Sequence, residues 1–242
     1  MIRSISAEWL KLRHSRIGLV LLTLPVLSVL IGCATFYMNR SALHNGWYSL
    51  WTQVGLFYGE FFLPVLIAIC CAYACRLEHM NRNWNAVMTS PVPVACIFLA
   101  KLTVVSIQIF IVQALFMALY YCAGLLFGLS SPFPPEAFGW ILRGWLASVS
   151  IGAVQLALSL RIRSFAAPIG IGLCAAFLGL GFYVAKVGLF FPYSLLTIGL
   201  GVLSQESLTG ADDRLFLVMN LIFIVAFSSL AIRRLQKKDV VS

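Results

Sequence analysis

Long apolar runs, separated by short polar segments, extend over most of the chain. Six of these runs are long enough to cross a membrane, since a helix needs about 20 residues to span the hydrocarbon core of a bilayer. The runs cover residues 17–38, 54–75, 102–129, 140–160, 165–185 and 215–232. This pattern predicts an all-α polytopic membrane protein with six transmembrane helices.

The first segment of the chain has a different pattern. Apolar residues recur there at helical spacing, at Ile2, Ile5, Trp9 and Leu12, and basic residues occupy other positions around the turn. A helix of this kind lies in the membrane interface, with its tryptophan at the level of the headgroups. Residues 1–16 are therefore predicted to form an interfacial elbow helix that precedes the first span.

Residues 188–204 are apolar but too short for a clear span, and Pro192 lies near their start. If they crossed the membrane, the basic C-terminus would lie on the opposite side from the basic N-terminus. Cytoplasmic segments of membrane proteins carry an excess of lysine and arginine, which favours six spans instead. We therefore expect residues 188–204 to form a re-entrant hairpin or an interfacial helix on the outer side.

The six-span topology collects most of the positive charge on the side of the two termini. That side holds 13 of the 17 lysine and arginine residues, in four separate segments. The distribution predicts a multi-pass protein of the cell membrane with both termini cytoplasmic. The formal net charge of +9 does not indicate nucleic-acid binding, because the basic segments border the membrane, where anionic lipids attract them.

Composition agrees with this class. Hydrophobic residues make up 61% of the 242 residues and charged residues only 10%, whereas soluble domains carry about 25% charged residues. The length allows one helical bundle and no second soluble domain. We therefore expect residues 1–242 to form a single transmembrane domain.

Candidate catalytic chemistry is absent from the predicted spans. They contain no paired aspartates, no Ser/His arrangement and no H-E-x-x-H sequence, and His14, His44 and His79 all lie outside them. This pattern argues against an intramembrane protease. No catalytic residues are predicted.

Cys71, Cys75 and His79 are candidate metal ligands, because they share one face of a helix at four-residue spacing. Thiolates and imidazole are ligands for copper or zinc. The sequence offers no fourth ligand nearby and no C-x-x-C pair, so no metal site is predicted. Export of a metal or a small molecule stays open as an alternative function.

Residues 76–101 form a polar loop between the second and third spans. Its notable side chains are Glu78, His79, Asn81, Trp84, Ser90 and Pro91, and Lys101 follows at the predicted start of the next span. Ser90 can cap a helix that has Pro91 at its first position, and the stem of Lys101 can snorkel to the interface. Such a loop suits docking of a soluble partner better than chemistry, although a plain solvated loop with an interfacial tryptophan has the same composition.

These residues carry a resemblance to a known family. The loop contains E-H-x-x-x-N-W as Glu78-His79-Met80-Asn81-Arg82-Asn83-Trp84, followed by Thr89-Ser90-Pro91 and Ala100-Lys101. Together with Ala7-Glu8-Trp9-Leu10-Lys11 and Pro64, the pattern resembles ABC-2 type permease subunits of lantibiotic-protection (self-immunity) ABC transporters. Ser90-Pro91 stands where Leu-Pro is commoner in that group.

The resemblance implies a transporter in which the permease and the ATPase are separate subunits. A separate cytoplasmic ATPase subunit would bind ATP and Mg²⁺, and this chain would bind no cofactor; it has no G-x-x-x-x-G-K-[ST] loop for phosphates. The loop of residues 76–101 would be the coupling loop that receives the motion of the ATPase. A second permease subunit, identical or different, would complete the transporter, which would remove the peptide from the membrane to the outside.

One acidic residue is predicted to lie inside a span. Glu60 is followed by Phe61, Phe62 and, after Leu63, by Pro64, and an ionisable residue at membrane depth is a functional hypothesis by default. Since lantibiotics are commonly cationic, Glu60, Phe61 and Phe62 are the candidate substrate contacts. The alternative is a glutamate that pairs with Arg143 or is solvated at the interface.

Overall fold

The structure of the protein, a computed structural model, describes residues 1–13, 17–79, 92–204, 208 and 210–237. Within these ranges the regular structure is entirely helical. The helices are α1 (Ile2–Arg13), α2 (Ile17–Met38), α3 (Gly46–Phe57), α4 (Leu63–His79), α5 (Val94–Leu126), α6 (Glu136–Ser159), α7 (Ala166–Val184), α8 (Pro192–Leu200) and α9 (Ala211–Lys237). A π-helical turn, Tyr58–Phe62, joins α3 to α4, and a short 3₁₀ turn, Gly188–Phe190, precedes α8.

The predicted class is confirmed. Among the described residues, six helical stretches are long and apolar enough to cross a membrane, and α3 and α4 together form one of them. Each of the six corresponds to a predicted span. The first, Ile17–Met38, has the predicted ends.

The second span is longer than predicted, since it begins at Gly46 rather than at residue 54. Polar residues in its first two turns give this stretch the composition of a loop. In the structure, the Thr52 hydroxyl donates to the Ser49 carbonyl, and Trp47 is buried with its Nε1 bonded to the Ser131 carbonyl. Hydrogen bonds within the protein therefore satisfy polar groups that the sequence pattern assigns to solvent.

Residues 188–204 fold back into the bundle. Helix α8 packs between α6 and α7, and nearly all of its residues are buried. The Gln155 Nε2 donates to the Tyr193 hydroxyl over 2.6 Å, and Gln155 lies in the last third of α6, far from the end of the bundle at which α8 enters. The segment is therefore re-entrant rather than interfacial.

The start of α1 and the end of α9 at Lys237 lie at the same end of the bundle, because six crossings return the chain to the side where it started. We call this end the N-terminal face; it holds α1 and the ends of the spans at His79, Val94, Ser159, Ala166 and Lys237. The opposite face holds the connections that follow Met38, Leu126 and Val184. Helix α1 packs against α5 at the N-terminal face.

Candidate functional site

Lys101 lies at the centre of a cluster of buried charges at the N-terminal face. Its Nζ is 2.6 Å from Glu78 Oε1 and 2.9 Å from Glu8 Oε2. It also donates to the carbonyl oxygen of Ala74 over 2.8 Å. Lys101 is only 1% exposed and Glu78 2%, so the ammonium is fully enclosed by its partners. The expectation that Lys101 snorkels to the interface is wrong.

Lys11 completes the group. Its Nζ is 2.7 Å from Glu8 Oε1 and 2.9 Å from Glu78 Oε1. Each of the two lysines therefore contacts both glutamates, and the four formal charges cancel. We call Glu8, Lys11, Glu78 and Lys101 the charge cluster.

The charge cluster joins three elements that are distant in sequence. Glu8 and Lys11 belong to α1, Glu78 to the end of α4, and Lys101 to the second turn of α5. The helix α5 begins at Val94, eight positions before the predicted start of the third span. It can include Lys101 because two carboxylates neutralise the ammonium of this residue. The cluster thus locks α1 against the two helices that flank residues 80–91.

The protonation of the lysine side chain that is partly exposed indicates which role the charge cluster can have. Burial alone would lower the pKa of Lys11, but the hydrogen bonds that its ammonium donates to Glu8 and Glu78 and the charges of both glutamates outweigh burial, so its pKa is raised. Lys11 is therefore held as an ammonium ion, which suits neither a general base nor a nucleophile. A buried, neutral, hydrogen-bonded network is suited to fixing the relative positions of helices.

The candidate coupling residues divide into two groups. Glu78 is part of the charge cluster, and the backbone of His79 forms the last residue of α4. Asn81, Trp84, Ser90 and Pro91 lie outside the described residues, as does the side chain of His79. The structure therefore places the charge cluster directly beside the ends of this loop.

The candidate substrate residues lie in the π-helical turn between α3 and α4. Glu60 is 5% exposed, its carboxylate interacts with the Thr197 hydroxyl of α8, and its Oε1 has no hydrogen-bond partner in the described structure. Phe61 is 38% exposed, with its ring against those of Phe57 and Phe177. Phe62 is half-buried. A π-helical turn inserted in an α-helix is frequent at functional sites.

Neither alternative for Glu60 is found. Arg143 forms an ion pair with Asp213 in the first turn of α9, with 3.6 Å between Nη1 and Oδ1, and Glu60 is enclosed rather than solvated. Helix α8 covers this region and is held by the Trp51 Nε1, which donates to the Leu200 carbonyl over 3.0 Å.

The cysteines of the metal hypothesis lie inside the bundle. Cys71 and Cys75 are both fully buried, and the Cys71 thiol donates to the Gly152 carbonyl over 3.6 Å. Within the described residues, no group of three His, Cys, Asp or Glu side chains is placed to hold a metal ion.

Sequence reasoning missed the charge cluster as a unit. Three of its members, Glu8, Lys11 and Lys101, were not among the candidate site residues, although all four occur in the motifs that carry the family resemblance. One feature of the sequence could have indicated the cluster: Lys101 lies within one turn of a long apolar run. Placing a lysine there costs free energy unless the lysine is paired with an acidic residue. Which carboxylates pair with it depends on helix packing, and sequence spacing does not predict that packing.

The comparisons with known proteins agree with this architecture. No curated protein and no solved structure matches the chain. A family described as ABC-2 family transporter protein matches residues 4–179, which include most of α1, the whole charge cluster, the first four spans and most of the fifth. The chain therefore belongs to the ABC-2 transporter family, as the membrane-embedded permease of an ABC transporter.

Proposed function

We propose that this permease removes a lantibiotic or a related antimicrobial peptide from the membrane, driven by a separate ATPase subunit. One observation carries the proposal. The motif residues on which the resemblance to lantibiotic-protection permeases rests come from three parts of the sequence, and four of them meet in the charge cluster. These motif residues therefore act together, which supports membership of that group over a chance likeness of separate segments.

The charge cluster gives the coupling loop a mechanical role. The ATPase docks on residues 76–101 and contacts His79, Asn81, Trp84, Ser90 and Pro91. Closure of the ATPase on ATP and Mg²⁺ pushes this loop. Because Glu78 is bonded to both α1 and α5, the push moves α1, α4 and α5 together rather than bending one of them.

The orientation follows from charge. By sequence, 13 of the 17 basic residues fall in the segments assigned to the side of the two termini, so this side faces the cytoplasm, where the ATPase and its nucleotide are located. Residues 1–16 then act as the interfacial elbow helix of a single domain, residues 1–242. A second permease subunit, identical or different, provides the other half of the pathway.

The peptide enters from the outer half of the membrane. Phe61, at the midpoint of the second span, offers an exposed aromatic ring on this route, and the neighbouring Phe62 widens the apolar surface. A cationic group of the peptide reaches the Glu60 carboxylate once α8, which carries Thr197, moves away from Glu60, because that carboxylate is enclosed in the present structure. The peptide leaves to the outside and does not pass through the cytosol.

A protection assay tests the proposal against the alternative substrate classes. Lantibiotic-sensitive cells that express the permease with its ATPase should tolerate several-fold more lantibiotic than cells with an empty vector. Their tolerance of copper, zinc and small hydrophobic drugs should not change. Protection against a metal or a small molecule, without protection against any lantibiotic, would establish the alternative exporter function instead.

A further inference from the structure

Glu60 is an enclosed carboxyl group near the middle of the second span, Gly46–Arg76. It is 5% exposed, and its Oε1 has no hydrogen-bond partner among the residues that the structure describes. The polar group that the structure places against this carboxyl is the Thr197 hydroxyl of α8. A hydroxyl can form a hydrogen bond with a carboxyl group, but it cannot balance a negative charge.

The elements beside the π-helical turn offer no counter-ion. The turn, Tyr58–Phe62, packs against α2, α3, α4, α7 and α8, and the Tyr58 ring stacks on that of Phe116 in α5. Helices α2, α3, α7 and α8 contain no lysine, arginine or histidine. Beside the turn, the titratable side chains of these elements are cysteines and tyrosines, which carry no positive charge in any protonation state: Cys33 in α2, Tyr58 in the turn, Cys174 in α7 and Tyr193 in α8.

The basic residues of the other helices are distant or paired elsewhere. Helix α4 carries its basic residues in its last turn, at least 16 positions after Glu60, which is about 24 Å along a helix. Lys101 of α5 belongs to the charge cluster, and Arg143 of α6 pairs with Asp213. Within the described part of the chain, Glu60 therefore forms no ion pair.

A carboxyl group in this environment favours its neutral form. Moving an ionised carboxylate without a partner into a low-dielectric interior is so unfavourable that the group takes up a proton instead. The charge cluster is the opposite case, because each of its glutamates contacts two ammonium groups. In its neutral form Glu60 also gains an O–H donor, for which the Thr197 hydroxyl oxygen is an acceptor.

We propose that Glu60 is a proton-binding site whose proton is exchanged for a cationic group of the transported peptide. In the present structure, where α8 covers Glu60, the side chain is the neutral acid. When α8 moves away, the O–H bond breaks, its electron pair stays on the carboxylate, and the proton passes to entering water. The carboxylate then forms an ion pair with the peptide cation, so the site never holds an unpaired charge. The exchange rests on the proposed function, whereas the bound proton does not.

The exchange makes protons and peptide compete for Glu60. Because one proton leaves for each peptide that binds, acid should weaken peptide binding, and bound peptide should weaken proton binding to the same extent. In the pH range where the free site holds its proton, peptide binding should tighten about tenfold for each unit rise in pH. Neutral peptides would gain nothing from the exchange, so the site selects cationic ones.

Infrared spectroscopy of the purified permease with its ATPase subunit tests the bound proton without any peptide. A protonated carboxyl group has a carbonyl band that is distinct from the bands of a carboxylate. We expect this band in the wild type and in Asp212→Asn, which removes an exposed carboxylate, but not in Glu60→Gln. The band should shift rather than disappear in Thr197→Val, which removes the hydroxyl beside Glu60, and in Glu60→Asp, which keeps a carboxyl group. Identical spectra of the wild type and Glu60→Gln in this region would overturn the proposal.

Proton release tests the exchange. A lantibiotic to which the transporter confers tolerance in the protection assay is added to the purified complex in weak buffer with a pH indicator. ATP is omitted, because its hydrolysis would itself release protons. The wild type should release about one proton more per bound peptide than Glu60→Gln, which should still bind the peptide several-fold more weakly.

The two measurements separate the possible failures. Peptide binding with equal proton release in the wild type and Glu60→Gln would overturn the exchange and leave the proposed function intact. Absence of protection against every lantibiotic would overturn the proposed function and the exchange with it. The infrared result stands in either case, because it depends on Glu60 and its surroundings alone.

Discussion

Lys101 and Glu78 form an ion pair of 2.6 Å across the two ends of the polar loop, although 23 positions separate them in sequence. The pair fixes the distance between the end of α4 and the second turn of α5. Glu8 and Lys11 bind the same pair to α1. A force applied to the loop between these helices therefore acts on three helices that move as one unit.

Replacing Lys101 with methionine should destabilise the protein by about 3–5 kcal/mol. The change keeps the apolar stem but leaves two buried carboxylates sharing the single charge of Lys11, and breaking a buried pair has this magnitude. Thermal unfolding of the detergent-purified protein measures the loss. Lys11→Met should cost less, because the Lys11 side chain is 37% exposed and the Lys101 side chain 1%.

A compensating change distinguishes charge from packing in this experiment. Lys101→Met combined with Glu78→Gln restores neutrality and should regain part of the lost stability. If the double variant is less stable than Lys101→Met alone, the stabilisation comes from side-chain shape and not from ion pairing.

The contribution of Lys11 should depend on pH in one direction. Its pKa is raised above the ordinary value of 10.5, so the ion-paired form is fully present below about that pH and is lost as pH rises through the raised pKa. The difference in unfolding temperature between the wild type and Lys11→Met should stay constant from about pH 8 to 10 and shrink above about pH 11. Lys11→Arg should keep its advantage throughout, because the guanidinium does not lose its proton. A difference that vanishes below about pH 9 would contradict the raised pKa.

The sequence predicted the features that depend on local composition, and it missed those that depend on contacts between residues distant in sequence. Long apolar runs predicted the six spans, because burial in lipid needs length and composition only. The ends of two spans were missed where a partner distant in sequence neutralises a polar group, as Glu8 does for Lys101 and the Ser131 carbonyl does for Trp47. The burial of Glu60 was missed for the same reason, since its cover is the re-entrant helix α8. The sequence predicted that this segment is re-entrant or interfacial, but it did not predict that Thr197 of this segment contacts Glu60.

Close packing of the re-entrant helix should make its end intolerant of side chains. Gly201 has a φ of +58°, and a Cβ there would lie 2.8 Å from the Trp140 Nε1. Gly201→Ala should therefore cost about 1–3 kcal/mol, measured by thermal unfolding. Gly170→Ala is the matched control, because a Cβ at that position in α7 meets nothing within 4 Å; it should be neutral or slightly stabilising, since alanine favours helix. Equal effects of the two changes would mean that α8 is not held tightly.

Glu60→Gln should leave expression and assembly intact, because glutamine has nearly the same shape. If Glu60 meets a cationic group of the peptide, the variant should lose several-fold in protection, corresponding to about 1 kcal/mol. The loss should depend only weakly on salt, because an enclosed pair is screened much less than an exposed one. Asp212→Asn, which removes an exposed carboxylate in the first turn of α9, should protect like the wild type. Unchanged protection by Glu60→Gln at low salt would assign Glu60 a structural role.

The most direct test of the proposed function measures where the peptide goes. Sensitive cells that express the permease and its ATPase are loaded with a lantibiotic, and intact peptide is quantified in the membranes, the cytosol and the medium. We predict that peptide leaves the membranes for the medium without entering the cytosol. This should fail when the ATPase is inactive, and weaken with Trp84→Ala, since aromatic anchors often dominate interfaces. Peptide that stays in the membranes at the same level with and without an active ATPase would contradict the account.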